Sequence, residues 1–288
     1  MNKIDYNNVH PNFKWNGIAL DFPNLLIAAY DLIKEGEEFE RITGEFILDW
    51  FNSNSFISIA TSGTTGSPKK IKIEKQALVF SALATAEFFD LKAGNRVLNC
   101  LSTNYIAGKM MLVRALTLGW NLDVIESTSN PLKEITKEYD FSAMVPLQLR
   151  NSISKIDQIK TLIVGGGVVS RDLDKAIQTV DTKCYATYGM TETITHVAIK
   201  KLNKFTQLEL ESESVYKTLP DITISKDKRS CLVIHAPKIS DVNIMANDVV
   251  EVVSKTEFIF LPMPLDMVCP HNILNSMFFV LAMFINVI

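Results

Sequence analysis

Several kinds of protein are excluded by what this 288-residue sequence lacks. Its four cysteines, Cys100, Cys184, Cys231 and Cys269, are far apart and show none of the paired spacing a zinc or redox site needs. They read as reduced, mainly buried thiols. No run of lysine and arginine is long enough to neutralise a row of phosphates, and the net charge is -3, so nucleic acid is not an expected partner. The stretch from Met1 to Gly17 is polar and broken by Pro11, so it lacks the apolar segment of a secretory leader, and a cytoplasmic location is expected. The apolar run from Met277 to Ile288 is about a dozen residues against the roughly 20 that span a bilayer, so no membrane span is expected. There is no clear internal repeat and no low-complexity linker.

What is present is ordinary globular chemistry, 47% hydrophobic and 21% charged. Phe22 to Lys34 has apolar residues at helical spacing with Gly36 placed to end it, and Gly44 to Phe51 reads as a second short helix. Phe56 to Ala60 is a short apolar strand, Lys70 to Ile73 alternates like its return partner, and Lys75 to Phe89 is helical again. Strands then follow at Val97–Leu101, Leu122–Ile125, Ala143–Val145, Thr161–Val164 and Cys184–Tyr188. Helices are expected between them at Gly108–Leu118, Pro131–Glu138 and Ser170–Thr179. This alternation predicts an α/β fold, with mostly parallel sheets covered by helices. After Thr195 the helical pattern ends, and short β-like runs predict a smaller antiparallel β subdomain. The expected units are residues 1–195, 196–261 and an atypical apolar tail over 262–288.

The most informative string is Thr61-Ser62-Gly63-Thr64-Thr65-Gly66-Ser67-Pro68-Lys69, directly after an apolar strand. Five hydroxyls and two glycines in nine residues supply short donors and a backbone able to curl its N–H groups around polyphosphate, and Lys69 adds a positive charge. Gly63 and Gly66 are too close together, and Pro68 precedes the lysine, so this is not the common G-x-x-x-x-G-K-[ST] loop. The alternative is a Ser/Thr-rich surface turn, which needs fewer such residues.

The string resembles the phosphate-binding motif of the adenylate-forming superfamily, which includes acyl-CoA synthetases, peptide-synthetase adenylation domains and luciferases. A second resemblance lies in Tyr188-Gly189-Met190-Thr191-Glu192-Thr193, at the family's second signature. The resemblance implies that Glu192 holds Mg²⁺ on ATP and that Tyr188 packs by the adenine. Gly165-Gly166-Gly167 resembles the family's loop beside the adenine and acyl pockets, and Asp248 stands where an aspartate accepts the ribose hydroxyls. Taken alone, the glycines and Asn247-Asp248 are also ordinary turns.

Tyr105-Ile106-Ala107-Gly108 resembles the family's acid-pocket motif. The run from Val145 to Arg150 is similar to one branch, the o-succinylbenzoate–CoA ligases of menaquinone synthesis. That branch implies a dicarboxylic acid substrate, ATP, Mg²⁺ and coenzyme A. Lys109 and Arg150, the cations nearest these motifs, become candidates for the remote carboxylate. The other reading of each is a solvated helix residue. Thr61, Lys69 and Glu192 are the expected catalytic groups. The family continues with a Gly-Arg-x-Asp hinge and a mobile C-terminal lid, whereas Pro262 to Pro270 replaces the hinge here. A shifted or truncated reading frame is one explanation. The expectation therefore divides among a working ligase, a domain that forms only the acyl-adenylate, and a non-catalytic ATP-binding remnant.

Overall fold

The computed structural model describes residues 5–61, 69–210 and 214–261. Strands β1 (Lys14–Trp15) and β2 (Ile18–Ala19) form a tight hairpin that leads into helix α1 (Phe22–Glu35). The Asp21 carboxylate accepts the Asn24 N–H at 3.0 Å and starts that helix. Helix α2 (Glu38–Trp50) begins well before Gly44, where apolar periodicity alone places it. The earlier start has a local cause. Glu40 accepts the Glu37 N–H at 2.9 Å, and Arg41 pairs with Glu38 and Glu45 on the exposed face.

Strands β3 (Phe56–Thr61) and β4 (Lys69–Glu74) form a separate antiparallel hairpin that runs straight into helix α3 (Lys75–Phe89). The body then runs through β5 (Arg96–Asn99), α4 (Ile106–Leu118), β6 (Asn121–Val124) and β7 (Tyr139–Met144), with no helix between the last two. It continues with α5 (Pro146–Ser152), β8 (Ile159–Val164), α6 (Arg171–Ile177) and β9 (Lys183–Gly189). Strands β6, β5, β7, β8 and β9 lie side by side in that order and pair in parallel. Neighbouring residues of one strand, Val97 and Leu98 or Leu162 and Ile163, fall into different apolar clusters, so both faces of the parallel sheet are covered.

The helix expected over Pro131–Glu138 is absent; the segment is a series of turns. Leu132 is buried there, and the carbonyls of Lys133 and Ile135 accept side-chain N–H groups of Lys155 at 2.6 Å and Gln158 at 3.0 Å. Side chains from the next segment thus satisfy backbone that a helix would have satisfied internally.

After β9 the chain reverses into β10 (His196–Lys201), which pairs antiparallel with β9. A short helix α7 (Gln207–Leu210), not expected after Thr195, precedes β11 (Tyr216–Thr218), β12 (Thr223–Lys226), β13 (Cys231–His235), β14 (Ile244–Ser254) and β15 (Glu257–Phe260). These antiparallel strands extend the parallel sheet edge to edge in the order β9-β10-β11-β15-β14-β13-β12. In a flat sheet β14 and β9 would lie about 19 Å apart, four spacings of about 4.8 Å. Yet Tyr188 on β9 donates a hydrogen bond to Asp248 on β14 at 2.7 Å. The sheet must therefore curl, and Tyr188, Tyr216, Phe258 and Phe260 fill the inside of the curl with ring centroids 5.1 to 6.2 Å apart.

No helix among the described residues is long and apolar enough to cross a membrane. Cys100, Cys184 and Cys231 are buried free thiols. Cys269 and the rest of the tail over 262–288 lie outside the described residues.

Candidate functional site

A cavity of about 100 Å³ lies at the carboxyl ends of β7, β8 and β9, the end at which open α/β sheets bind ligands. Gly165 and Gly166, leaving β8, form one part of its wall, and Tyr188, Gly189 and Met190, leaving β9, form another. Two of the strings singled out in the sequence thus meet around one space. Gly167 is placed beside Pro146 instead, outside the lining. Gly189 is required by close approach, since a Cβ there would come 2.4 Å from the Thr195 carbonyl oxygen.

The segment after Met190 is tightly fixed. Thr191, Glu192 and Thr193 form a single 3₁₀ turn, and the Thr193 hydroxyl accepts the Met190 N–H at 2.8 Å. The same hydroxyl lies 2.8 Å from the Thr195 carbonyl. Ile194, a β-branched residue, is held at φ +68°, a strained conformation of the kind that clusters at functional sites. Glu192 itself is exposed. No group of three or more His, Cys, Asp and Glu able to hold a metal occurs among the described residues. For Mg²⁺ on a triphosphate one carboxylate suffices, because phosphate oxygens and water complete the shell.

Asp248 reaches the site across the curl through its 2.7 Å hydrogen bond from the Tyr188 hydroxyl. Burial raises the Asp248 pKa, and the Tyr188 hydrogen bond opposes the shift. Burial and the neighbouring carboxylate push the Tyr188 phenol up, so it stays protonated and donates. Tyr188 lines the cavity, and Asp248, which does not, is held beside it by that hydrogen bond; a carboxylate in such a place offers acceptor oxygens to hydroxyl donors.

The lining residues Ile106, Ala107, Met110 and Arg114 lie on one face of α4. Tyr105 is the N-cap residue of α4 and does not line the cavity. Gly108 serves packing, because a Cβ there would come 2.3 Å from the Ser102 carbonyl oxygen. Lys109 points to the other side of α4, where its ammonium donates to the Thr103 carbonyl and sits 4.7 Å from the Phe46 ring centroid. Burial lowers its pKa to about 8. Arg150, on α5, donates to the Ser170 hydroxyl at 2.9 Å and also lies outside the lining.

The cation that does line the cavity is Arg114, which the sequence reading passed over. It is 2% exposed, its Nε has no hydrogen-bond partner, and its Nη1 has the Met111 sulfur at 3.8 Å. Burial lowers its pKa to about 9, so it remains charged at neutral pH. The signal was the i, i+4, i+8 spacing of Ile106, Met110 and Arg114, which puts a cation on the apolar face of the helix that opens at the acid-pocket motif. His196 also lines the cavity, and burial together with the Arg114 charge holds its pKa well below the usual value.

Thr61 and Lys69 are Cα partners at the end of the β3–β4 hairpin. Ser62, Gly63, Thr64, Thr65 and Gly66, expected to cradle phosphate, lie outside the described residues.

The sequence profile described as AMP-binding enzyme matches residues 52–225. A solved structure of an acyl-CoA synthetase (AMP-forming)/AMP-acid ligase II-like protein from Dyadobacter fermentans is 35% identical with a TM-score of 0.71, over 78% of this chain and 65% of that one. Nonribosomal peptide synthetase 32 from Fusarium pseudograminearum is 31% identical over 139 residues, 46% of this chain and 2% of its own length. The 2-succinylbenzoate–CoA ligase of Salmonella typhimurium is 23% identical over 166 residues, 57% of this chain and 36% of its own. The chain spans well under half the length of these curated relatives.

Proposed function

The chain belongs to the AMP-binding enzyme family, and on that premise we propose that it adenylates a short carboxylic acid bearing a second anionic group and passes the acyl group to coenzyme A, with o-succinylbenzoate, a menaquinone precursor, as the leading candidate. One observation carries the choice of acid: a buried guanidinium with an unpartnered Nε faces the cavity between the Gly165–Gly166 turn and Tyr188. A buried unpaired cation is costly, and a carboxylate that enters and binds it removes that cost.

In this reading Thr61, Ser62, Gly63, Thr64, Thr65, Gly66 and Lys69 hold the departing pyrophosphate, Tyr188 flanks the adenine and Asp248 takes the ribose. Glu192 would hold Mg²⁺, which supplies neutralisation of the triphosphate charge. The reacting carboxylate is already ionised at neutral pH, so no general base is required. Its oxygen bonds to the α-phosphorus as the bond to pyrophosphate breaks, and the rate comes from alignment and charge compensation. The coenzyme A thiol, losing its proton, then attacks the acyl carbon and AMP leaves with the electron pair of the broken C–O bond.

Acid-dependent ATP–pyrophosphate exchange tests the first step, and thioester detection on adding coenzyme A tests the second. Exchange with o-succinylbenzoate exceeding that with a monoacid of equal size supports the reading. Exchange without thioester would reduce it to an adenylate-forming domain, and ATP binding without exchange to a non-catalytic remnant.

A further inference from the structure

Behind the cavity the fold holds a second, smaller one of about 50 Å³, bounded by α3 and the segment around Leu219 to Ile222. Its walls are apolar at Phe80, Leu83 and Ala84 on one side and Leu219, Ile222 and Ile239 on the other, and Glu87 and the Lys238–Asp221 ion pair complete the lining. His196 lines both spaces. Its Nε2 lies 3.3 Å from the Thr85 hydroxyl oxygen, and the Thr85 hydroxyl donates to the Ser81 carbonyl at 2.9 Å. Since Thr85 has spent its one proton, His196 is the donor, as a neutral imidazole with hydrogen on Nε2. A second pair completes the wall: the Ser81 and Thr195 hydroxyls are 3.1 Å apart, with Ser81 facing the rear space and Thr195 the front one. The partition is one layer of side chains thick, and two hydrogen-bonded pairs tie it to α3.

Resting on the adenylation reading above, we infer that His196 sets the length of acid the site accepts. It closes the front cavity against a rear space whose apolar walls would otherwise take the tail of a longer acid. Thr85 is the residue that positions it. The rear space adds about half the volume of the front one, enough to extend an acyl chain. A single methylene accommodated or refused in an apolar pocket changes specificity by roughly 10- to 200-fold.

The test uses the full chain and a series of acyl-sulfamoyl-adenosines with acyl groups of increasing length, bound calorimetrically, alongside pyrophosphate exchange with the matching acids. Wild type is expected to bind the short analogues and lose affinity sharply beyond a cut-off length. His196→Ala shifts that cut-off upward, raising the long-to-short affinity ratio by roughly tenfold or more. Thr85→Val gives a smaller shift in the same direction, and His196→Gln, which refills the partition with an N–H donor, keeps the wild-type cut-off. A His196→Ala protein that melts cooperatively, binds the short analogue and retains the wild-type cut-off overturns the inference. If the analogues bind with this length pattern while no acid supports exchange, the partition stands and the adenylation reading fails. If wild type binds none of the analogues, both fall.

Discussion

Asp248 carries opposing demands on one side chain. Its folded pKa lies above its unfolded value because of burial, so it stabilises the fold only in its neutral form, at pH below the unfolded value. That contribution is lost as pH rises through the folded pKa, and at neutral pH the ionised group costs stability. Asp248→Asn should therefore raise the Tm at pH 7 while weakening ATP binding by roughly 10- to 100-fold, the loss of a charge-assisted hydrogen bond of about 1.5–3 kcal/mol. Calorimetric titration with ATP and with 2′-deoxy-ATP checks it, since the variant should lose most of the preference for the ribose hydroxyl. A lower Tm with unchanged ATP affinity would make Asp248 a structural acceptor for Tyr188 and nothing more. Both residues were singled out by motif position. Their contact was not, because three strands separate them in the sheet.

Helix α4 shows what periodicity can and cannot give. Its existence and its end at Leu118 follow from the sequence, and the structure ends it with Gly119 at φ +73°. Which of its faces lines the cavity depended on the approach of β8 and β9, and so Lys109, next to the motif, looked nearer to it than Arg114. Likewise Pro131–Glu138 read as a helix because the side chains of Lys155 and Gln158 that satisfy its carbonyls come from a later segment. The two cations of α4 should separate experimentally. Arg114→Met replaces a buried, incompletely paired charge with an apolar side chain, so the ligand-free protein should melt higher. The same change should raise the Michaelis constant for a diacid by roughly 30-fold or more and leave that for a monoacid of the same length little changed, because truncating one partner of a buried charge pair costs about 2–5 kcal/mol. Lys109→Met should change both constants together or neither. Pyrophosphate exchange with paired acids measures this, and diacid selectivity that follows Lys109 instead of Arg114 would reverse the assignment.

For the whole molecule, the 13-stranded sheet of the described residues is parallel from β1 and β6 through to β9 and antiparallel from β9 to β12, and it has to bend back on itself to bring Asp248 to Tyr188. The alternation of strands and helices predicted its parallel half, and the loss of helical pattern after Thr195 predicted the change to antiparallel pairing. Strand order and the curl were hidden, because they depend on contacts between residues distant in the chain, such as Tyr216 stacked on Phe258 with centroids 5.4 Å apart. Phe258 is fully buried and does not line the cavity, so its effect on ATP should pass through the curl alone. At a hundredfold excess over Kd, ATP should stabilise wild type by about 2.7 kcal/mol, a rise of several degrees in Tm. Phe258→Leu removes ring contacts that hold β15, the neighbour of β14, against Tyr188 of β9, and it should lower the Tm of the ligand-free protein and also shrink the increment from ATP at the same concentration. An equal increment in both proteins, read by thermal melts with and without ATP, would mean that Asp248 keeps its place by Tyr188 without the aromatic cluster, and that the curl is held by strand pairing instead.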